Sequence, residues 1–204
     1  RIVVIDRERS HLFTPSLLWL MVGLREASAI QRPLDRLERK GIEVRYGEVE
    51  KIDPERRAVV VAGEEIAGDY LVVALGAELA DGTIPGLAEA GHDFYTLAGA
   101  ESLRAALGSI ERGKVVVLTA APAYKCPAAP YEAALLIAAH LASRELGDAV
   151  SVEVWAAEPG PMGVAGPEMS AAVRQLLAAE NIPYPPAHQV SSVDPQARKL
   201  SFAG

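Results

Sequence analysis

The sequence predicts an α/β fold that contains two similar units, each built from a strand, a helix and a β-meander. Three apolar, β-branched runs, at Ile2–Asp6, Gly113–Thr119 and Val150–Ala156, are typical of strands buried on both faces of a parallel sheet. An Ala/Leu-rich stretch from about Pro127 to Leu146 predicts a helix between the last two strands. A strand, crossover helix and strand make the βαβ unit of a parallel sheet.

A hairpin pattern occurs twice and defines an internal repeat. Residues 46–63 parallel residues 187–204, and the shared Asp-Pro, Arg and Ala-Gly positions are all separated by the same 141 residues. Asp-Pro followed by a basic residue, between alternating apolar residues, is typical of the turn of a β-hairpin. Each hairpin follows a predicted strand and then a predicted helix, the helices lying at residues 31–40 and 168–180.

The two copies, at about residues 1–80 and 113–204, differ in what they contain. The second has a leading strand and helix, from Lys114 to Leu146, that the first lacks. The first continues to a predicted strand at Tyr70–Gly76, beyond the point where the second stops. We therefore expect an internal fragment of a larger protein, because the alternative, a natural chain of 204 residues, leaves strands unpaired. The predicted domains are 1–90, without a first strand and glycine-rich loop, and 91–204, with a truncated meander.

Composition narrows the function classes. The 20 basic and 27 acidic residues give a formal net charge of −7 and a pI of about 5.2, which argues against a nucleic-acid-binding protein because phosphates require a basic surface. The apolar stretch Leu17–Leu24 is too short to cross a bilayer. The single cysteine, Cys126, excludes a disulfide within the chain, and no Cys/His cluster predicts a metal site.

Candidate nucleotide-binding residues lie in the first copy. Asp6 ends the first strand, where a dinucleotide-binding fold places an acidic residue that accepts hydrogen bonds from ribose hydroxyls; a turn or cap residue is the alternative. The strand at Tyr70–Gly76 closes on Ala-Leu-Gly-Ala, whose small residues let a ligand approach the backbone, although an ordinary glycine turn is also consistent with this pattern.

The corresponding positions of the second copy lack these features. Ala156 occupies the position that matches Asp6, and the loop of residues 120–127 contains no glycine with which to wrap a pyrophosphate. The second copy therefore has the frame of a nicotinamide-nucleotide domain without its binding residues. This absence argues against a pyridine nucleotide as the electron donor.

Cys126 occupies that loop instead. Pro127 suits the first turn of a helix, which places Cys126 near the N-cap, where the helix dipole and Lys125 favour a thiolate. A small, buried hydrophobic residue is the alternative interpretation of this cysteine. Glu132, on an otherwise apolar helix face, is a candidate proton shuttle, and an exposed first-turn glutamate is its alternative.

These residues together give the chain a resemblance to a known family. The most specific strings are His11–Gly23 (HLFTPSLLWLMVG) and Tyr124–Glu132 (YKCPAAPYE), with the predicted strand at Tyr70–Gly76. The chain resembles the sulfide:quinone oxidoreductases and the flavoprotein subunit of flavocytochrome c sulfide dehydrogenase, which belong to the FAD-dependent pyridine nucleotide-disulfide reductase superfamily. The resemblance covers essentially the whole chain and implies two Rossmann-like, three-layer units, the first FAD-binding and the second NAD-like.

The resemblance also implies sites and partners. Cys126 would be one of two redox cysteines beside the flavin, and Glu132 an acid/base. The residues expected to contact FAD are Asp6, Thr14, Pro15, Val49, Ala74, Leu75 and Gly76. HS⁻ would attack a disulfide and leave one cysteine persulfidated, and the freed thiolate would pass two electrons to FAD, which a quinone or a cytochrome re-oxidises.

Other parts of that enzyme would lie outside this chain. The second cysteine and the helices that grip the membrane would belong to a C-terminal part, which implies a protein peripheral to the cytoplasmic membrane. The resemblance leaves room for a homo-oligomer. Because the pyrophosphate loop would precede Arg1, we expect this chain alone to bind FAD weakly or not at all and to be inactive.

The sequence departs from the family in two places. Gly91–Glu101 lacks the cysteine that many of these quinone reductases carry, and residues 160–166 lack the histidine that often follows the strand at Ser151. These differences leave the electron acceptor and the sulfide substrate open. The alternatives are a type II NADH:quinone reductase, against which the glycine-free loop and Ala156 count, and a non-catalytic binding or interaction module in which Cys126 only packs.

Overall fold

The computed structural model describes residues 1–122 and 124–203, so Ala123 of the predicted glycine-free loop and Gly204 of the repeat lie outside the described residues. The chain forms two compact units. The first contains Arg1–Phe13 and Ala27–Leu79, and the second contains Thr14–Glu26 together with the chain from Ala80 onward. The segment Thr14–Glu26 thus belongs to the second unit, although it lies inside the first predicted domain.

The first unit is built on a parallel strand pair. Strand β1 (Ile2–Asp6) pairs with β4 (Ile42–Tyr46) in a register that runs from Ile2 opposite Ile42 to Asp6 opposite Tyr46. A short antiparallel pair, β2 (Ser10–Leu12) and β3 (Gln31–Pro33), lies between them in the chain. The parallel pair and its apolar run confirm the predicted first strand.

The helix predicted over residues 31–40 is replaced by two shorter elements. Residues 31–33 form β3, and a 3₁₀ helix follows over Leu34–Lys40 and ends at Gly41, whose φ is 75°. Pro33 explains the difference, because a proline disfavours helical backbone at the residue before it and holds that residue extended. The helix therefore begins at Leu34, three residues later than predicted.

A β-meander completes the first unit. Strands β5 (Val49–Asp53), β6 (Ala58–Val61) and β7 (Glu64–Ala67) form an antiparallel sheet in that order. The Asp53 carboxylate accepts a hydrogen bond of 3.0 Å from the Arg56 N–H and so closes the Asp-Pro turn. The predicted hairpin is confirmed.

The strand predicted at Tyr70–Gly76 is wrong for this structure. The segment has neither helix nor strand, and most of its apolar side chains face solvent, with Tyr70 91% and Val72 86% exposed. A strand is stabilised by ladder hydrogen bonds to a neighbour, and within the described residues no strand pairs with this segment. Its apolar composition indicates burial, but composition alone supplies no pairing partner.

The second unit contains the other parallel pair. Strand β8 (Gly113–Thr119) pairs with β9 (Val150–Ala156) from Gly113 opposite Val150 to Thr119 opposite Ala156. Helix α4 (Ala129–Ser143) connects them and contacts both, which confirms the predicted βαβ unit. The other helices are α1 (Leu17–Met21), α2 (Leu87–Ala90), α3 (Leu97–Ser109) and α5 (Pro167–Ala179), with short 3₁₀ helices at Thr14–Ser16, Ala27–Ala29, Asp81–Thr83 and Gly163–Ala165.

The repeated hairpin has the same backbone in both units. Strands β10 (Val190–Asp194) and β11 (Lys199–Phe202) are antiparallel, and each hairpin has a bulge near its start, at Val49/Lys51 and at Val190/Ser192. Arg57 and Arg198, the matched turn residues, both have left-handed backbone, with φ of 51° and 52°. The internal repeat is therefore structural as well as sequential.

The core of the second unit lies between α1, α3, α4 and β9. Helix α1 packs against α3 and α4, and α4 packs against β9. Fully buried side chains in this core include Leu17, Leu20, Met21, Ile137, Leu141 and Val154. Within the described part of the chain, we find no helix with the length and apolar character that crossing a membrane requires.

Candidate functional site

Cys126 lies in the turn between β8 and α4. Its side chain is exposed and its thiol is free, which does not fit the alternative of a small residue packed in the core. The helix begins later than predicted, with Ala128 at the N-cap, and the Ala129 N–H donates a 3.0 Å hydrogen bond to the Cys126 carbonyl. Cys126 has φ of 53°, which is a left-handed conformation. This conformation costs free energy for any residue that carries a side chain, and it is concentrated at functional sites.

Tyr95 holds the residue that precedes the cysteine. Its hydroxyl donates a 2.6 Å hydrogen bond to the Lys125 carbonyl, and the Lys125 ammonium lies 5.7 Å from the centre of its ring. Burial, together with the nearby Cys126, raises the pKa of Tyr95 to about 12. Tyr95 is itself fixed before α3, because its N–H and that of Thr96 both donate to the Asp93 carboxylate, at 2.8 and 2.7 Å.

A buried carboxylate, that of Glu158, connects the turn that contains Cys126, called the cysteine turn below, to the loop after β9. Glu158 is 8% exposed and accepts hydrogen bonds from three hydroxyl groups. Tyr124 donates to Oε1 at 2.7 Å, Tyr131 donates to the same oxygen, and Thr119 donates to Oε2 at 2.5 Å. Burial and this carboxylate raise the pKa of both tyrosines above 10, and burial is the larger cause. The cysteine turn is thus linked to Glu158 on both sides.

The predicted site residues do not include this cluster. The internal repeat matches Asp6 to Ala156, whereas the acidic residue stands two positions further on at Glu158. Tyrosines on both sides of Cys126 and a glutamate just after the next strand are the signal that predicts it, because the ends of adjacent parallel strands lie together.

A pocket of about 730 Å³ opens at the carboxyl ends of β8 and β9. Tyr124 and Glu158 line it from the cluster, and Pro122, Pro127, Met162 and Arg174 supply other parts of its wall. Open α/β sheets bind ligands at this edge. Here Ala156, the residue at the strand end, is fully buried and carries no group that could bind a ribose.

Glu132 and the segment around Thr14 and Pro15 meet within the second unit. Glu132 lies exposed in the first turn of α4, and the indole N–H of Trp19 donates to its Oε1 at 3.3 Å. Trp19 is in α1, directly after the 3₁₀ helix that contains Thr14 and Pro15, both of which are exposed. Parts of the two most specific sequence strings, 113 residues apart at this contact, are therefore joined within the second unit.

The remaining candidates belong to the first unit. Asp6 is partly exposed at the end of β1, and its carboxylate accepts a 2.9 Å hydrogen bond from the Glu8 N–H. The Asp6 carbonyl accepts from the Gly47 N–H at 3.0 Å, which fixes the chain just before Val49. Residues 74–76 are exposed, and Gly76 has φ of 76° with open space where a Cβ would stand.

The donor groups of the first unit fit the ribose of a nucleotide, whereas no site among the described residues fits a metal ion. The Asp6 carboxylate stands at the carboxyl end of a parallel strand, where such folds bind a ribose, and the backbone at Gly76 is open to a close ligand. In the part of the chain that the structure describes, no group of three His, Cys, Asp or Glu side chains is placed to hold a metal.

Comparison with known proteins places the chain among flavoenzymes. The model of the family "Pyridine nucleotide-disulphide oxidoreductase" matches residues 1–203. The chain is 32% identical over 117 residues to the demethylphylloquinone reductase NdbB of Synechocystis, an alignment that covers 54% of this chain and 29% of that protein.

Solved structures agree with this assignment. The sulfide:quinone oxidoreductase of the hyperthermophilic bacterium Aquifex aeolicus matches all of this chain and 50% of its own, with a TM-score of 0.85 and 27% identity. NDH2 of Plasmodium falciparum, solved with NADH, matches 95% of this chain and 44% of its own, with a TM-score of 0.69 and 16% identity, a likeness of fold alone. The chain thus spans about half the length of these enzymes.

Proposed function

Because the chain belongs to the pyridine nucleotide-disulphide oxidoreductase family, we propose that it is part of a flavoprotein that oxidises sulfide through Cys126 and FAD and passes the electrons to a quinone or a cytochrome. The observation that carries this proposal is the exposed, left-handed Cys126 between β8 and α4. In a nucleotide-binding unit the same position holds a glycine-rich loop. An exposed thiol in place of that loop favours thiol chemistry over nucleotide binding.

FAD, when bound, supplies the acceptor for an electron pair and returns that pair to the quinone or cytochrome. In the first unit, Asp6 would accept hydrogen bonds from the ribose, and the backbone near Val49 and at residues 74–76 would line the cofactor. In the second unit, Thr14 and Pro15 would lie near the flavin. The open Asp6 carboxylate and the exposed backbone at Gly76 support this assignment.

Cys126 would contribute one sulfur of a disulfide with a cysteine outside this chain. HS⁻ attacks that disulfide, a new S–S bond forms to one sulfur, and the other sulfur leaves as a thiolate with the electron pair of the broken bond. Glu132 would exchange the protons, since its carboxylate is exposed to solvent and oriented by the Trp19 N–H.

The electron acceptor sets the location of the protein. Quinones are membrane lipids, so we propose that the protein acts at the periphery of the cytoplasmic membrane. The similarity to a demethylphylloquinone reductase supports a quinone.

A second candidate is an NADH:quinone reductase, because the family is named for pyridine nucleotides and a similar protein is a quinone reductase. Against it stand the buried Ala156 at the end of β9 and the glycine-free stretch after β8. The two functions differ in the reductant, so a single titration separates them.

The test uses the full-length protein under anaerobic conditions and follows the flavin absorbance. We expect sulfide to bleach the flavin and NADH to leave it oxidised. Cys126→Ser should lower the sulfide-dependent rate at least about a hundredfold while dithionite still bleaches the flavin. Ala128→Ser, which places the same side chain at the N-cap of α4, is the matched control and should keep the wild-type rate.

Two results would contradict the proposal. Bleaching by NADH alone would support the NADH:quinone reductase instead. A Cys126→Ser protein that sulfide reduces at the wild-type rate would show that the thiol has no part in the reaction.

A further inference from the structure

We propose that Glu158 is a positioning residue for Cys126. The Glu158 carboxylate holds the turn that contains Cys126 from both sides. Tyr124 stands two residues before the cysteine and Tyr131 five residues after it, and both hydroxyls donate to Oε1 of Glu158. The role assigned to Glu158 rests on the proposed function, because positioning matters only if the sulfur reacts. Its physical basis, the anchoring of the turn, is independent of that function.

The anchor is fixed at its own end. Oε2 of Glu158 accepts from the Thr119 hydroxyl at 2.5 Å, and the Thr119 oxygen accepts from the Ala157 N–H at 3.0 Å. Thr119 ends β8 and Ala157 directly follows β9, so the carboxylate is built onto the edge of the parallel sheet. Hydroxyl hydrogen bonds to a carboxylate are short and about twice as strong as those between neutral groups.

The buried charge makes this arrangement specific. Glu158 is 8% exposed, and among the described residues no cationic side chain forms an ion pair with it. A buried carboxylate is costly unless donors satisfy it, so any movement of Tyr124 or Tyr131 away from Glu158 would leave a buried charge short of donors. The two tyrosines are therefore held in one position.

The left-handed backbone of Cys126 needs such support. A conformation of this kind persists only where its surroundings over-determine it. Here the chain is held at Tyr124, at Lys125 through the Tyr95 hydroxyl, and at Tyr131, so the strained residue lies between fixed points. In a nucleotide-binding unit the acidic residue near this strand end accepts hydrogen bonds from the hydroxyls of a ribose. In this unit the chain's own tyrosines supply the hydroxyls.

The first experiment measures whether the anchor holds the turn. Amide hydrogen exchange of residues 124–132 is followed by mass spectrometry in the 204-residue chain and in the full-length protein. We expect Glu158→Gln, which loses the charge and turns one accepting oxygen into an amide donor, and the double variant Tyr124→Phe/Tyr131→Phe each to accelerate exchange at least about tenfold. Their combination should add little more, because both act on the same hydrogen bonds. The matched control is Glu153→Gln, since Glu153 lies on β9 but bonds to Lys114 and Trp155.

The second experiment measures whether positioning affects the reaction. In the full-length protein, we expect Glu158→Gln to lower kcat for sulfide-dependent flavin reduction at least about tenfold, with unchanged quinone KM and unchanged reduction by dithionite. Tyr124→Phe, which keeps the buried charge, should lower kcat in the same direction and guards against a variant that fails to fold.

The outcomes separate this inference from the proposed function. If Cys126→Ser abolishes sulfide oxidation while the Glu158 and Tyr124 variants exchange and react as wild type, the positioning role is overturned and the proposed function stands. If exchange accelerates but kcat is unchanged, the role in positioning is likewise overturned. If Cys126→Ser keeps full activity, the proposed function fails, whatever the exchange result.

Discussion

Two acidic side chains near the ends of parallel strands, Asp6 in the first unit and Glu158 in the second, have opposite surroundings. Asp6 is partly exposed, and its carboxylate accepts one hydrogen bond among the described residues, from the Glu8 N–H. Glu158 is 8% exposed and accepts from Thr119, Tyr124 and Tyr131. The first carboxylate can still accept hydrogen bonds from a ligand, whereas the second is already occupied by the chain itself.

The two carboxylates can be compared because the two units have matching strands and hairpins. Each unit has a parallel strand pair, and the two hairpins share a bulge position and a left-handed arginine in the turn. The backbone of the repeat is therefore retained, and the difference lies in side chains at the strand ends. Under the proposed function, one repeat would thus provide a cofactor contact in one unit and a support for a cysteine in the other.

Removal of the buried carboxylate of Glu158 should have the largest effect on this difference between the two units. Glu158→Ala leaves the hydroxyls of Thr119, Tyr124 and Tyr131 without their acceptor, and each unsatisfied buried group costs free energy. We expect the free energy of unfolding to fall by about 3 kcal/mol, measured by urea denaturation. Asp6→Ala serves as the comparison and should change it far less. Equal losses in the two variants would show that the carboxylates are equivalent.

Alkaline pH tests the same cluster without removing the carboxylate. Burial and then Glu158 raise the pKa of Tyr124 and Tyr131 above the ordinary 10.0, so the folded state favours the neutral phenols. The stability that this provides is intact below about pH 10 and is lost as the pH rises through the raised values. The free energy of unfolding should therefore decline above pH 10.

The control for that decline is the double variant Tyr124→Phe/Tyr131→Phe. It removes both phenols and should show a shallower decline above pH 10 in urea denaturation. Identical pH profiles for the wild type and the variant would mean that the two tyrosines do not contribute to the alkaline loss.

Much of the fold can be predicted from local pattern. The β-branched runs identify β1, β8 and β9, and the 141-residue spacing of the Asp-Pro turns identifies both hairpins. These features depend on neighbouring residues in the chain, which is why they are visible in the sequence. The strand predicted at Tyr70–Gly76 failed because a strand needs a partner, and pairing is a property of the whole fold.

The site shows the same division. The turn that contains Cys126 and the first-turn position of Glu132 follow from Pro127 and the apolar helix after it. The contact between Trp19 and Glu132, and the three hydroxyls around Glu158, depend on the packing of distant segments. Neither has a local signature, so neither could be placed without the structure.

Asp6→Asn has the smallest expected effect on stability and tests whether the Asp6 carboxylate contacts the cofactor. An asparagine oxygen still accepts from the Glu8 N–H, so the free energy of unfolding should change by less than about 0.5 kcal/mol. The affinity of the full-length apoprotein for FAD, measured by flavin fluorescence, should fall about tenfold, since a hydrogen bond to a charged acceptor is lost.

Asp53→Asn is the matched control, because it makes the same change at another strand end of the first unit, where the carboxylate closes a turn. It should leave FAD affinity unchanged. If Asp6→Asn binds FAD as tightly as the control does, the Asp6 carboxylate is not a cofactor contact. The two strand ends would then differ in burial alone, because the exposed Asp6 carboxylate would bind no ligand.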